Sequence, residues 1–229
     1  MSSILSYLGL DPRLGEVIIA GIGETFYMVV ISTVAAYIIG IPVGVILYIT
    51  GKGGIRENGI INGILSFIVN VLRAVPFLIL VVTVLPITRA IVHTTIGCNA
   101  TIVPLVIAAA PFVGRMVESS LKEVDEGVIE AAKAMGSSNW QIISKVLIPE
   151  ARPSLLVGFT IAFATILGYS AMAGIMGAGG LGAIAINYGY YRFQPDVMWV
   201  AVVLLVIFVI VFQEGGLRLV NKIDRRIKK

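Results

Sequence analysis

Cysteine and histidine are nearly absent, with one of each in the chain, Cys98 and His93. A single thiol excludes an internal disulfide, and one imidazole leaves no cluster able to hold a structural metal. Both residues are expected to be structural and to lie near the outer surface. Charge is scarce too. Only 13% of the 229 residues are charged, against about 25% in soluble domains. Hydrophobic residues make up 58% and mean hydropathy is +0.98, which excludes an ordinary water-soluble domain and points to an all-α integral membrane protein. No G-x-x-x-x-G-K-[ST] phosphate loop and no H-E-x-x-H motif occurs, so the chain has no ATP site or zinc-protease centre of its own. Nor does it offer the nucleophile, base and orienter that a membrane enzyme needs.

What is present is a series of apolar blocks. Met1 to Glu16 lacks a basic n-region and a small-residue cleavage site, so no cleaved signal peptide is expected. Phe26 to Thr50 is uncharged for 25 residues, enough at about 1.5 Å per residue to cross about 30 Å of hydrocarbon, with Pro42 and several glycines as points of bending. Gly51 to Asn58, with Lys52 and Arg56, reads as a short cytoplasmic loop. The next block, Gly59 to Thr88, is interrupted by Arg73. A charge at mid-membrane is costly, so Arg73 either serves function or marks the true span boundary, with Ile60 to Leu72 partly at the cytoplasmic surface and Pro76 setting a bend. Arg89 to Ala100 is expected as an outer loop with a partial helix, and Thr101 to Val117 as a return span broken by Pro104 and Pro111. Pro153 to Tyr191 carries no charge in 39 residues. Leu155 to Ile175 can span there, leaving Gly177 to Gly182 as a flexible re-entrant or outer segment, and Val197 to Gln213 is the last span.

Five spans result. Lys52, Arg56, Arg115, Lys122, Lys133, Lys145, Arg152, Arg218, Lys222, Arg225, Arg226, Lys228 and Lys229 then fall on one side, and only Arg13, Arg89 and Arg192 on the other. The positive-inside rule places the C-terminus in the cytoplasm and the N-terminus outside. It also accounts for the net charge of +4 without nucleic acid, leaving the basic tail as a topology signal and a contact for the lipid bilayer.

The longest charged run, Glu118 to Pro153, separates two hydrophobic blocks. Leu121, Val124, Val128, Ala132 and Met135 recur at steps of three and four, predicting one apolar stripe on a helix whose other faces carry Lys122, Glu126, Glu130 and Lys133. Gly136 should end it. Ser138 and Gln141 stand at capping-box spacing, so a second helix is expected with Trp140, Ile143 and Leu147 as its stripe and Pro149 as its stop.

This hairpin resembles the "EAA" loop of bacterial ABC importer permeases, whose pattern is E-A-A, three residues, G, nine residues, I-x-L-P. Glu130, Ala131, Ala132, Gly136 and Pro149 match in spacing, with Val146 and Ile148 replacing the usual Ile and Leu. The resemblance implies a single permease domain over residues 1–229, with residues 118–153 as a coupling hairpin that docks on a cytoplasmic ATPase subunit. In that reading Met135 and Trp140 are apolar docking contacts and Glu130 a charged one; alternatively Trp140 anchors the hairpin at the membrane interface. ATP and magnesium would belong to the partner ATPase, with no cofactor in this chain.

Asn70 to Phe77, Gly168 to Gly174 and Gly177 to Gly182 are similar to stretches of methionine-uptake permeases of the ABC family. The resemblance implies a bacterial inner-membrane homodimer with two ATPase subunits and an extracytoplasmic binding protein, carrying methionine, in one or both enantiomers, inward by alternating access. Tyr169, Ser170 and Met172 would lie near the dimer axis. Met172 is either part of the translocation gate, its thioether yielding as the gate opens, or a packing residue, and Arg73 is grouped with this pathway. Gly177 to Gly182 also satisfies G-x-G-x-x-G, but without a preceding strand it is no dinucleotide fingerprint. A permease for a quaternary amine or polar amino acid would share every feature except specificity. An ion-coupled carrier or channel needs acidic residues in its spans, and none lies securely within one between Phe26 and Gln213.

Overall fold

The computed structural model describes residues 12–223, so the reading of the first eleven residues and of the tail basic groups Arg225, Arg226, Lys228 and Lys229 lies outside the described residues. All regular elements among the described residues are helical. Four helices are long and apolar enough to cross a membrane, and a bent pair makes up to five, in keeping with the expected five spans.

Helix α1 (Pro12–Thr50) is longer than the sequence reading allowed, since it begins well before Phe26 and includes Glu16 and Glu24. At about 1.5 Å per residue its 39 residues exceed one membrane thickness. A carboxylate does not end a helix if it finds a donor, and Glu24 does, as described below. The helix is unbroken at Pro42. Gly40 and Gly44 are packing positions rather than bends, because a Cβ at Gly44 would lie 2.5 Å from the Gly114 carbonyl oxygen and one at Gly40 would lie 2.5 Å from the Val113 side chain. That G-x-x-x-G pair lets α1 approach α5 (Cys98–Lys122) closely.

Asn58 caps α2 (Gly59–Ala74) by accepting from the Ile60 and Ile61 amides. The bend expected at Pro76 is present. Val75, pushed out of the α region by the following proline, is extended, and α2 meets α3 (Phe77–Thr83) at 105°. Arg73 lies exposed in the last turn of α2, beside this break. The partial helix expected within Arg89 to Ala100 lies earlier, as α4 (Leu85–Val92), which includes Arg89 and ends at His93 in the left-handed conformation, and α5 already begins at Cys98. Pro104 and Pro111, expected to break the return span, instead lie inside the continuous α5. Each forgoes one backbone bond, a cost that packed membrane helices absorb.

The hairpin follows as α6 (Glu126–Ala134) and a composite helix made of Asn139–Gln141, a π-helical stretch Ile142–Leu147 and Ile148–Glu150. Then come α7 (Arg152–Ala173), a 3-10 turn Gly174–Met176, a short α8 (Gly180–Ile184) that unwinds into π-helix over Ala185–Tyr191, and α9 (Pro195–Ile223). The last helix runs past Gln213, where the reading stopped, with Glu214 and Arg218 paired on its exposed surface.

The chain divides into two compact units. One comprises the chain up to Ser32, Phe77–Val106 and Ala164–Val211; the other comprises Thr33–Pro76, Ile107–Phe163 and the chain from Phe212. The first is centred on buried Leu181, Ile184, Val197 and Ala201. In the second, Phe163 stacks on Phe212 with centroids 4.0 Å apart, and Leu121, Val124, Ile129, Ala132, Ile142 and Leu147 are buried at the root of the hairpin.

Candidate functional site: the coupling hairpin and the glycine turn

The hairpin is built by local bonds. The Asp125 carboxylate accepts from the Gly127 amide at 2.7 Å and starts α6. This start is a correction: the expected single stripe from Leu121 to Met135 is interrupted, since α5 ends at Lys122 and a new helix begins at Glu126. The buried face changes accordingly. Ile129 and Ala132 point inward, whereas Val128 and Met135 are exposed, Met135 by 79%.

Gly136, at φ +77°, ends α6 as expected. The Ser137 amide donates to the Ala132 carbonyl and the Gly136 amide to that of Lys133, the paired bonds of a Schellman motif. The capping box is also present. The Ser138 amide donates to Gln141 Oε1 at 2.8 Å, and the Gln141 amide to Ser138 Oγ at 3.4 Å.

Pro149 does not stop the second helix. The preceding stretch is π-helical and the Ile148 amide donates to Ile143, five residues back. The wider turn absorbs the ring that would clash in an α-helix, so the chain continues through Pro149 to Ala151 and into α7. The same rewinding turns the apolar face. Ile142, Ile143 and Leu147 are buried, while Trp140 is 74% exposed. Glu130, Ala131, Met135, Gly136 and Trp140 thus all lie exposed around the bend, and Ala132 packs beneath them.

A polar cluster at the hairpin's root was not foreseen. Buried Glu118 accepts from Arg115 Nη1 at 2.6 Å and Lys122 Nζ at 2.7 Å, and Arg115 Nη2 reaches Asn70 Oδ1 at 3.0 Å. The i, i+3, i+4 spacing was the available signal. Glu118, the first residue of the charged run, is the inner acceptor of two cations.

Among the other candidates, Tyr169 stacks on Phe77 with centroids 4.5 Å apart. Ser170 is buried and donates back to the Leu167 carbonyl, and Met172 is 49% exposed. The glycine segment after α7, expected as flexible, forms a defined turn. Gly177, Gly179 and Gly180 have positive φ, and Ala178, Gly180, Leu181 and Gly182 are buried. Glu24 and Thr25 of α1 bind it. Gly180 donates to Glu24 Oε2 at 2.6 Å and Leu181 to Thr25 Oγ1 at 2.8 Å. Sequence reasoning missed both acceptors; the one signal was a carboxylate next to a long apolar run.

The sequence model of the family described as "Binding-protein-dependent transport system inner membrane component" matches residues 40–229. A probable D-methionine transport system permease protein of Pasteurella multocida is 44% identical over 95% of this chain and 100% of its own length. A methionine import system permease protein of Bacillus subtilis is 44% identical over 79% of this chain and 82% of its own. A solved chain from inward-facing conformations of the MetNI methionine ABC transporter superposes with a TM-score of 0.93 at 46% identity, covering 94% of this chain and 100% of that one. With the family model spanning most of its length and its spans and capped hairpin in place, this chain belongs to the inner-membrane permease components of binding-protein-dependent ABC transport systems.

Proposed function

We propose that this chain is the transmembrane subunit of an ATP-driven importer of methionine, in one or both enantiomers. The observation that carries the substrate is the near-complete similarity, at 46% identity, to a methionine ABC transporter chain, and relatives described as permeases for D-methionine and for methionine import support it. The permease works as a homodimer with two ATP-binding subunits and an extracytoplasmic binding protein, and ATP with its magnesium is held by the ATPase. The C-terminus and hairpin face the cytoplasm and the N-terminus faces out, in accord with the distribution of lysine and arginine.

Coupling needs a rigid protrusion with a dockable tip. The hairpin supplies both, since caps at Asp125 and Ser138 and the Schellman bonds at Gly136 fix its bend. Met135 and Trp140 are its apolar docking groups and Glu130 its charged one, while Ala131 keeps the face low and Ala132 seats it. Pro149 and the π stretch lead directly into α7, so a push on the hairpin enters a transmembrane helix without an intervening loop. At the far end of that helix Tyr169, Ser170 and Met172 line the gate. Met172 supplies a flexible apolar plug, and Arg73, beside the α2–α3 break, borders the pathway. Closing of the ATPases swings the spans to face outward, and hydrolysis resets them.

The test is co-purification with the ATPase followed by ATP-dependent methionine uptake in vesicles supplied with binding protein. Wild type is expected to assemble and transport, and Met172→Ala to alter uptake or basal ATP hydrolysis. Assembly without methionine uptake would discard the substrate and keep the importer.

A further inference from the structure

The buried amides at the start of α8 have no local acceptor. Residues 177–180 are glycine or alanine, and α8 lacks a side-chain cap of its own. The first amides of any helix have no intrahelical partner, and leaving them unpaired when buried is unfavourable. Here the acceptors come from 156 residues away, adjacent on α1: Glu24 Oε2 for Gly180 and Thr25 Oγ1 for Leu181. The Thr25 hydroxyl itself donates to the Gly21 carbonyl at 2.8 Å, which leaves its lone pairs for Leu181. The turn is shaped around them. A Cβ on residue 179 would lie 2.8 Å from the Glu24 carboxylate, and one on residue 180 would lie 2.6 Å from the Thr25 hydroxyl.

The turn's other side is fixed to the end of α7. A Cβ on Gly182 would sit 2.5 Å from the Ala171 carbonyl oxygen, and one on Gly174 would sit 2.5 Å from the Ala183 nitrogen. The Gly97 amide closes the turn by donating to the Gly177 carbonyl at 2.9 Å. Ala171 and Gly174 bracket Met172.

We infer that Glu24 and Thr25 are positioning residues for transport: a two-acceptor latch that holds the glycine turn and, through it, the end of the helix that presents Met172. This rests on the reading of Met172 as part of the gate. Placing a carboxylate in an apolar helix is costly, and a charge-assisted bond from a buried amide, beside a side-chain bond with Cys98, offsets it.

The experiment uses the full permease–ATPase complex in nanodiscs with binding protein, comparing wild type with Glu24→Ala, Glu24→Gln, Thr25→Ala and Thr25→Ser. Hydrogen exchange is followed in the nanodiscs at the peptide containing Gly180 and Leu181, beside ATP hydrolysis, and methionine uptake is measured with the same complexes in sealed proteoliposomes. Glu24→Ala and Thr25→Ala should each exchange about tenfold faster at the turn, with hairpin exchange unchanged, uptake at least about fivefold slower and basal hydrolysis, without binding protein, retained. Thr25→Ser should restore both readouts. Glu24→Gln, keeping an acceptor without the charge, should fall between, and it carries the test if Glu24→Ala does not assemble. Slow uptake with unchanged exchange, or fast exchange with unchanged uptake, would overturn the latch. A wild-type complex that assembles but moves no methionine overturns the substrate reading instead. The latch is then decided by exchange together with the stimulation of ATP hydrolysis by binding protein, which Glu24→Ala should lose and which, if kept, overturns it.

Discussion

The hairpin bend at Gly136 and the turn over residues 177–182 both reverse the chain through glycines of positive φ, yet opposite forces hold them. Around Gly136 there is open space within 4 Å of an added Cβ, and every bond that shapes the bend joins residues no more than five apart. The second turn is buried from Gly180 onward, crowded by backbone on one side and held on the other by acceptors from α1. A bend made of local bonds can protrude and present exposed side chains to a partner. A turn made of distant ones can be fixed only where the fold already surrounds it.

The largest effect that separates the two is steric. Gly182→Ala drives a Cβ into the Ala171 backbone, whose carbonyl oxygen lies 2.5 Å and Cα 2.6 Å away, neither free to rotate aside. We expect a loss of about 3 kcal/mol, at the upper end of the usual overpacking range, read as a drop of several degrees in the temperature at which the detergent-solubilised protein stays monodisperse. Gly136→Ala meets no atom and pays only for its φ of +77°, about 1 kcal/mol. Equal melting of the two variants would erase the distinction between a crowded glycine and a merely left-handed one.

Trp140→Ala comes next and sharpens the other half of the comparison. A side chain 74% exposed contributes little to folding, so stability should change by no more than about 0.5 kcal/mol. Affinity for the ATPase should fall by about 2 kcal/mol, roughly thirtyfold, as for a buried aromatic anchor. Binding assays on the solubilised subunits decide it. Unchanged affinity, together with quenching by brominated lipid that wild type shows and Trp140→Ala loses against the remaining Trp199 signal, would make Trp140 a membrane anchor.

The sequence made the hairpin legible because its determinants are neighbours. Gly136 and the Ser138–Gln141 box sit within one short stretch, and both appear in the structure as expected. What failed there was phase. The helix restart at Asp125 and the π stretch before Pro149 rotate the face, so that Ile129 and Ile142 replace Val128 and Trp140 inside. A stripe drawn at a constant 3.6 residues per turn has no term for either event. The glycine turn was unreadable for a different reason. Nothing near residue 180 points to Glu24, and excluding charged residues from a span cut α1 short at the very acceptors that complete the turn. Pro104 and Pro111 misled likewise, since whether a proline breaks a helix depends on neighbours that the local sequence does not name.

The smallest effect probes how finely the hairpin is divided. Ser138→Ala removes one bond of the box, the long 3.4 Å contact from the Gln141 amide, but leaves the 2.8 Å bond from its own backbone amide to Gln141 Oε1 intact. Because the site is exposed, water replaces the lost acceptor, and the cost should stay near the lower end of the cap range, about 0.5 to 1 kcal/mol. Amide exchange at Gln141 should therefore quicken by no more than about fivefold, with no change at the glycine turn. Gln141→Ala, which removes the shorter bond, should cost at least as much, and Ser138→Asp should restore the cap. Were Ser138→Ala to loosen residues 177–182 as well, the two bends would not be independent, and the contrast between a locally and a remotely determined turn would fail at its simplest point.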